Sequence, residues 1–261
     1  MPAKILMCTL IAVAVALPAF PQAVAEPELE TRLINLPTHR SLAPATLQVL
    51  FTHRFSQTVG GAGADNLWGF DSSADIGIGL GMGLGHGIEA EVYRSSFFKQ
   101  YETSVKWNAV RQGTAFPLGV ALRVGADYRA ASGVADRWAG FAQLVVARRL
   151  GSSLDLFAVP TYVSDTPTLR NAWNVGLGAS MHVGHAWDVS VEAIPANHDV
   201  RHSALAWAVG FTKRLSGHAF LIYLGNSRAT TTDLIAGSDI PGGFKGGDVR
   251  VGFNLIRRFP E

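Results

Sequence analysis

Apolar and polar residues alternate along most of the chain from Thr46 onward. Between Trp173 and Val183 the odd positions carry apolar residues, whereas the even positions carry Asn174, two glycines, Ser180 and His182. The same period of two recurs in about twelve segments of roughly 8–12 residues each. Such lengths suit tilted membrane-crossing strands, because soluble strands more often run about 5–6 residues. The pattern predicts an all-β fold, a single antiparallel up-and-down transmembrane β-barrel of about 12 strands.

The predicted connections between these strands are of two kinds. Tight hairpin turns are predicted at 85–87, 151–153, 184–186 and 216–218. Longer polar loops are predicted at 56–74, 130–136, 163–172, 195–203 and 227–247. Short turns at one end and longer loops at the other are the arrangement of an outer-membrane barrel.

The second face of the predicted strands is rich in glycine and other small residues, as at Gly77, Gly79, Gly81 and Gly83. Small residues suit the crowded interior of a narrow barrel, whereas a solvated face more often carries Lys, Glu, Thr and Gln. Aromatic residues fall near predicted strand ends, where an interfacial girdle would place them: Trp68, Tyr101, Trp107, Tyr128, Trp138, Tyr162, Trp173, Trp187 and Phe259. Both observations favour a membrane barrel over the alternative, a soluble periplasmic β-protein that binds a ligand.

Charges of both signs share the face with the small residues. The predicted lumen-lining residues are Glu89, Glu91, Glu102, Lys106, Arg123, Asp127, Asp155, Asp188, Glu192, Asp248 and Arg250. Charges inside a barrel must be paired or hydrated. Two interpretations follow: an ion-pair network that fills the interior, or the lining of a narrow pore.

The N-terminal part of the chain is predicted to direct export. Lys4 precedes an apolar run over 5–16 and an Ala23-Val24-Ala25 cleavage site, which predicts a signal peptide over 1–25. Residues 26–45 show no clear period and are predicted to be irregular, and the barrel is predicted over 46–261. The only cysteine, Cys8, lies in the predicted signal, so disulfides and thiolate metal sites are not expected.

The remaining composition excludes other classes. The chain has 22 Lys and Arg against 20 Asp and Glu, a balance that does not indicate a nucleic-acid partner. No later stretch reaches about 18 consecutive apolar residues, so no transmembrane helix is expected. We therefore expect an exported protein of the outer membrane.

Four segments in the N-terminal half resemble the DUF5777 family of β-barrel proteins, whose function is unknown. They are THRF (52–55), WGFD (68–71), the glycine-rich strand 74–85 and EVYRSSFFKQYETSVKWNAVRQ (91–112). The residues that match the family pattern are Arg54, Phe55, Gly69, Phe70, Asp71, Arg94, Ser95, Ser96, Lys99, Tyr101, Glu102 and Lys106. Ser56 stands where the family usually has glycine. The resemblance implies an outer-membrane-type barrel in a Gram-negative cell, and it implies no activity.

Three patterns carry candidate chemistry. The glycines of 77–87 recur every second residue, so they form one face of a strand rather than a phosphate-binding turn. His198 and His202 have the spacing of metal ligands on a helix, but they fall in a predicted loop, so no metal site is expected. Ser180 and His182 lie two apart on one strand face, where a hydrolase could use them as nucleophile and base. Both face the lumen, where a lipid ester has poor access.

The sequence thus predicts a non-catalytic barrel, either a narrow channel or a structural or docking barrel. The alternatives are a lipid-acting hydrolase that uses Ser180 and His182 and the soluble ligand-binding protein. The expected partners are outer-membrane lipid, the barrel assembly machinery, and either a small solute or a docking protein. No cofactor is expected.

Overall fold

The computed structural model describes residues 30–113, 116–134, 137–167, 171–195, 205–237 and 248–259. The predicted signal peptide lies outside these residues, and so do His198 and His202. Among the described residues, no helix is long and apolar enough to cross a membrane.

The strands form one closed antiparallel barrel in chain order, in which β1 pairs with both β2 and β12. The predicted barrel of about 12 strands is therefore confirmed. The strands are β1 (Leu47–Phe55), β2 (Ala74–Gly85), β3 (Ile88–Ser95), β4 (Gln100–Val110), β5 (Gly119–Arg129), β6 (Trp138–Leu150), β7 (Leu154–Ser164), β8 (Asn171–Val183), β9 (Trp187–Ile194), β10 (Ala206–Leu215), β11 (His218–Gly225) and β12 (Arg250–Phe259).

Helical structure is confined to short connecting pieces. The first is α1 (Val59–Ala62), followed by a 3₁₀ stretch at Ala64–Gly69. A second 3₁₀ stretch, Phe97–Lys99, makes the short connection between β3 and β4. The last helix, α2 (Thr232–Gly237), belongs to the connection between β11 and β12.

The barrel has a short-turn end and a long-loop end. The tight turn between β2 and β3 needs a left-handed backbone, which His86 and Gly87 adopt with φ of 52° and 78°. The turns after β6, β8 and β10 lie at the same end, where β1 starts and β12 finishes. The connections after β1, β3, β5, β7, β9 and β11 leave from the long-loop end.

The outward face of the wall is apolar. Exposed side chains such as Leu80, Trp107, Leu122 and Ile222 alternate with buried inward ones along their strands. In lipid every backbone N–H and C=O must be paired within the protein, and closure of the sheet between β1 and β12 removes the two unpaired edges.

The inward face differs from the prediction on β6 and β7. Alternation in the sequence predicts only small or polar residues inside, but Phe141 and Val145 on β6 point inward and are buried, as do Phe157 and Val159 on β7. These side chains line an apolar part of the lumen. They need apolar partners from elsewhere in the chain, because water would otherwise fill the space beside them.

Candidate functional site in the barrel lumen

The segment Glu30–Thr46, called the N-terminal plug below, runs inside the barrel. Leu33, Ile34, Leu36 and Leu42 are buried there, although they belong to no strand of the wall. Leu33 and Leu36 pack with Val145, Phe157 and Val159 in one apolar cluster. The sequence predicts an irregular segment over 26–45, but it does not predict that part of this segment enters the lumen.

Inward glycines make the space that the N-terminal plug occupies. A Cβ atom on Gly83 would lie 1.9 Å from the Ala43 carbonyl oxygen, and one on Gly178 would lie 2.5 Å from Leu33 Cδ1. At Gly176 the distance to Leu36 Cδ2 would be 2.6 Å. Real Cβ contacts are longer. Gly83 cannot take a side chain because the atom that it would meet is backbone, whereas at Gly176 and Gly178 a larger residue would displace a leucine of the plug. The plug explains these glycines, while a Cβ on Gly77 would meet the Tyr93 hydroxyl of the wall, at 1.7 Å.

Glu192 on β9 binds the tightest turn of the N-terminal plug. Its carboxylate oxygen Oε1 accepts hydrogen bonds from the backbone N–H groups of Ile34, Asn35 and Leu36, each at 2.8 Å. The Asn35 side-chain amide also donates to Oε2, at 3.2 Å. Because the turn is buried, the carboxylate replaces the water that these three N–H groups would otherwise bind.

Charges on β3 and β4 hold the two ends of the same segment. Glu89 accepts a hydrogen bond from the Leu42 backbone N–H at 2.8 Å and forms an ion pair with Lys106 Nζ at 2.9 Å. Lys106 also donates to the Thr31 carbonyl oxygen at 3.2 Å. Glu91 pairs with the guanidinium of Arg32. Each of these wall charges has its counterpart on the wall or on the plug.

A second segment fills the lumen from the long-loop end. Residues 226–237, called the loop plug below, include α2, and the Leu234 side chain packs into the same apolar cluster as Leu33. Asp233 accepts hydrogen bonds from Arg129 Nη2 at 2.6 Å and from Gln100 Nε2 at 2.7 Å. The sequence predicts a polar loop over 227–247, whereas Leu234 to Ala236 are an inward apolar anchor.

One pair of wall residues contacts both plugs. Glu102 on β4 accepts from Arg123 Nη2 on β5 at 2.5 Å and from the Thr232 backbone N–H at 2.6 Å. Arg123 Nη1 donates to the Thr232 hydroxyl at 2.8 Å. Arg32 of the N-terminal plug lies 3.7 Å from the same Glu102 oxygen. Glu102 therefore lies where the two plugs meet.

A chain of alternating charges follows the inner wall from β6 to β10 near the short-turn end. Arg149 contacts Asp155 at 2.6 Å, and Asp155 contacts His182 Nε2 at 2.7 Å. His182 Nδ1 lies 2.5 Å from Asp188, which in turn lies 2.8 Å from Arg214 Nε. Both imidazole nitrogens of His182 thus face a carboxylate.

The hydroxyl of Ser180 has a different partner from the one that a hydrolase would need. It accepts a hydrogen bond from the Ser190 hydroxyl at 3.1 Å, and only 2 % of the Ser180 surface is exposed. His182 is turned to the two carboxylates instead. Ser180 and His182 are therefore neighbours on one strand face that do not form a nucleophile–base pair.

Three predicted lumen residues lie apart from these ion pairs. Asp127 is directly opposite Glu102 in the β4–β5 register and fully buried, but neither of its carboxylate oxygens has a hydrogen bond among the described residues. Asp248 and Arg250 contact each other at 3.3 Å at the long-loop rim. Arg250 also donates to the Ser56 carbonyl oxygen at 3.2 Å, so it ties two loop connections together.

The residues that match the family pattern are divided between the faces of the barrel. Arg54 points inward and donates to the Asn254 side chain at 2.7 Å, and Lys106 and Glu102 belong to the contacts described above. Phe55 and Phe70 pack together with ring centroids 5.2 Å apart. The rest lie in loops or at strand ends: Gly69, Asp71, Arg94, Ser95, Ser96, Lys99 and Tyr101.

Small cavities lie between the plugs and the wall. Two of them measure about 10 Å³ each, room for about one water molecule. Arg32, Asn174 and Thr232 line the first, and Glu192 and Tyr223 line the second. Within the part of the chain that the structure describes, no three His, Cys, Asp or Glu residues are grouped to hold a metal ion.

His39 makes the docking of the N-terminal plug sensitive to pH. Its ring packs against Phe157, and burial lowers its pKa to about 4, with Lys106 and Arg149 acting in the same direction and Asp155 opposing them. An exposed histidine has a pKa of about 6.5, so below that pH the undocked segment binds a proton that the docked one does not. Docking should therefore weaken by about 3 kcal/mol as the pH falls from about 6.5 to about 4.

Protease cleavage within 30–46 at pH 7.5 and pH 5 would measure this effect. We expect faster cleavage at pH 5 in the wild type and a smaller acceleration in His39→Gln, which keeps a polar side chain that does not titrate. Both proteins keep every other lumen residue, so the comparison isolates His39. An equal response of the two proteins to pH would contradict the prediction.

A closed barrel with an apolar outward face and ion-paired charges inside is the construction of a membrane-bound β-barrel protein. The chain belongs to the family of the membrane-bound beta barrel domain DUF5777, whose model matches residues 29–259. This confirms the resemblance noted in the sequence. No curated protein sequence matches the chain.

A solved porin shares this fold at low sequence identity, and an outer-membrane enzyme is similar to the chain. The chain is similar to the NanC porin with a TM-score of 0.50 and 10% identity, over 80% of this chain and 97% of the porin. It is also similar to outer membrane phospholipase A from Escherichia coli, with a TM-score of 0.49 and 12% identity over 83% of this chain and 91% of that one. At these identities the likeness concerns the fold alone.

Proposed function

We propose that this protein is a closed barrel of the outer membrane that serves as a structural or docking barrel and does not conduct ions in the described state. The observation that carries the proposal is the filling of the lumen from both ends, by the N-terminal plug and by the loop plug. A permeating ion would need a continuous hydrated path, and cavities of about 10 Å³ do not supply one.

The arrangement of the lumen charges supports a closed rather than a selective interior. A selectivity filter needs charged side chains directed at the permeating ion. Here Glu89 and Glu91 are directed at Lys106 and Arg32, and Glu192 is directed at backbone N–H groups. Of the two interpretations left open by the sequence, the ion-pair network that fills the interior has the better support.

The same geometry supports a non-catalytic role over the hydrolase alternative. Ser180 is buried in a filled lumen, where a lipid ester has no route to its hydroxyl. His182 contacts Asp155 and Asp188 with its two nitrogens, so neither nitrogen is directed at a serine hydroxyl.

Planar-bilayer recording on the refolded full-length chain tests the proposal. Heat-modifiable gel mobility would first establish that the barrel is folded, and protease protection that it is inserted. We expect no conductance steps from the wild type. Steady steps from the wild type would overturn the proposal and favour the narrow channel.

A plug-displacing variant shows whether the N-terminal plug is what closes the barrel. In Gly83→Val with Gly176→Val, the new side chains would overlap the Ala43 carbonyl oxygen and the Leu36 side chain. We expect conductance steps from this variant. Gly140→Val is the matched control, because a Cβ there meets only Ser164 Oγ, at 3.4 Å, and the variant should stay silent.

A further inference from the structure

The outward charges of the strands all have one sign. Among the described strand residues, the acidic side chains lie at inward positions, whereas the charged side chains exposed or partly exposed on the outward face are those of Arg94, Lys213 and Arg257. Arg148 of β6 also has an outward register position, but it is buried. A lipid-facing carboxylate would be repelled by anionic headgroups, and a lipid-facing cation would be attracted to them. The outward surface therefore has the charge that suits an anionic lipid.

Lys213 and Arg257 occupy one patch near the short-turn end. Each lies two residues from the short-turn end of its strand, on β10 and β12, and β11 lies between these strands. Neighbouring strands are about 4.8 Å apart, and Lys213 and Arg257 pair with Phe220 and His218, two positions apart on β11, so the two side chains start roughly 12 Å from each other. That spacing suits a phospholipid headgroup lying across β11.

Aromatic rings hold both cations at the wall. Lys213 Nζ lies 4.5 Å from the centroid of the Trp187 ring, and Arg257 Cζ lies 4.9 Å from that of Phe259. His218 of β11 contacts Arg257 Nη1 through Nε2 at 2.8 Å. Trp187 and Phe259 are about half exposed, at 48% and 45%, as are ring residues at the boundary between acyl chains and headgroups.

Among the described strand residues, no exposed cation lies at this end on the opposite strands β2 to β6, where Arg148 is buried. At the same end, the outward residues of β2 to β5 are apolar, as at Leu84, Ile88, Trp107 and Leu122. Simple snorkelling of cations to the interface would not require them to be grouped on one side. Grouping with aromatic rings indicates a defined site rather than a diffuse charge.

We propose that the outward surface of β10–β12 at the short-turn end binds the phosphodiester headgroup of an anionic glycerophospholipid. Lys213 and Arg257 contact the phosphate oxygens, since a guanidinium and an ammonium are the usual partners of phosphate in proteins. Trp187, Phe220 and Phe259 pack against the glycerol and the first acyl carbons. The site lies on the outer surface, so it is independent of whether the lumen conducts.

Native mass spectrometry of the folded protein in neutral detergent tests this site with two lipid probes. Dioleoyl-phosphatidylglycerol and dioleoyl-phosphatidylcholine share their acyl chains and differ in headgroup charge. We expect the wild type to prefer the anionic lipid, and Lys213→Gln with Arg257→Gln to lose affinity for it by about fivefold per removed charge. Arg94→Gln is the matched control, because Arg94 is also an outward cation, stacked on the Tyr101 ring at 5.7 Å, but lies at the other end.

Each outcome decides for or against the proposed site. Preference for the anionic lipid that is lost in the double variant and kept in Arg94→Gln supports it. Equal binding of the two lipids by the wild type would overturn it, as would an equal loss in Arg94→Gln. Heat-modifiable mobility confirms folding of each variant, and the two single glutamine variants serve if the double variant does not fold.

Discussion

Replacing Glu192 with alanine should release the N-terminal plug while the barrel wall stays folded. The carboxylate accepts hydrogen bonds from three consecutive backbone N–H groups, of Ile34, Asn35 and Leu36, in a buried turn. Alanine would leave these three donors without an acceptor. A hydrogen bond to a charged group contributes about 1.5–3 kcal/mol, so at the lower end of this range the loss of all three should weaken docking by about 4–5 kcal/mol.

Hydrogen exchange measured by mass spectrometry separates this local release from loss of the barrel. A change of about 4 kcal/mol corresponds to roughly a thousandfold faster exchange for the peptide that covers 31–37. The peptide that covers 226–237 should exchange as in the wild type. Glu192→Gln keeps one acceptor oxygen in the same place and should give an intermediate rate. Unchanged exchange at 31–37 in the alanine variant would contradict the proposed role of Glu192.

The alternation of the strands could be read from the sequence because it depends on local geometry alone. Successive side chains of a strand point to opposite faces, so apolar and small residues sort along the chain without knowledge of its partners. The alternation breaks over RSSFFKQ (94–100), so the period alone does not locate the turn between β3 and β4. The structure shows that Ser96 and a 3₁₀ stretch provide a connection short enough to keep β3 and β4 paired.

The contents of the lumen could not be predicted in the same way, because the plugs have no period. The N-terminal plug is irregular. The role of its apolar residues can be seen only from the wall glycines against which they pack, as Leu36 packs against Gly176. A signal was present in the sequence: Leu33, Ile34 and Leu36 are apolar in an otherwise polar segment. Leu234 and Ile235 give the same signal in the loop before β12.

The partners of the inward charges depended on information that the sequence does not hold. Glu89 and Lys106 are directly opposite in the β3–β4 register, so that pair follows once the register is known. The partner of Glu192 is the backbone of a segment 156–158 positions away, which no strand pattern indicates. The alternation in the sequence thus indicates which charges face inward, but it does not indicate which groups these charges contact.

Replacing Glu102 with alanine should loosen both plugs at once, because this residue lies where they meet. Glu102 holds Arg123 at 2.5 Å and the Thr232 backbone N–H at 2.6 Å, and Arg32 lies 3.7 Å away. Alanine would leave the Arg123 guanidinium buried without its carboxylate. Removal of one member of a buried ion pair typically costs about 3–5 kcal/mol.

Exchange in the two plugs should then rise together, which distinguishes Glu102 from Glu192. We expect both the 31–37 and the 226–237 peptides of Glu102→Ala to exchange at least a hundredfold faster, consistent with about 3 kcal/mol or more. Asp127→Asn is the sharpest control, because Asp127 faces Glu102 across the same strand pair but accepts no hydrogen bond from the described residues. Removal of the Asp127 charge should not accelerate hydrogen exchange in either peptide, since no contact with the plugs depends on that carboxylate. Acceleration in Asp127→Asn as large as in Glu102→Ala would mean that the net charge of the lumen, rather than the contacts of Glu102, holds the two plugs in place.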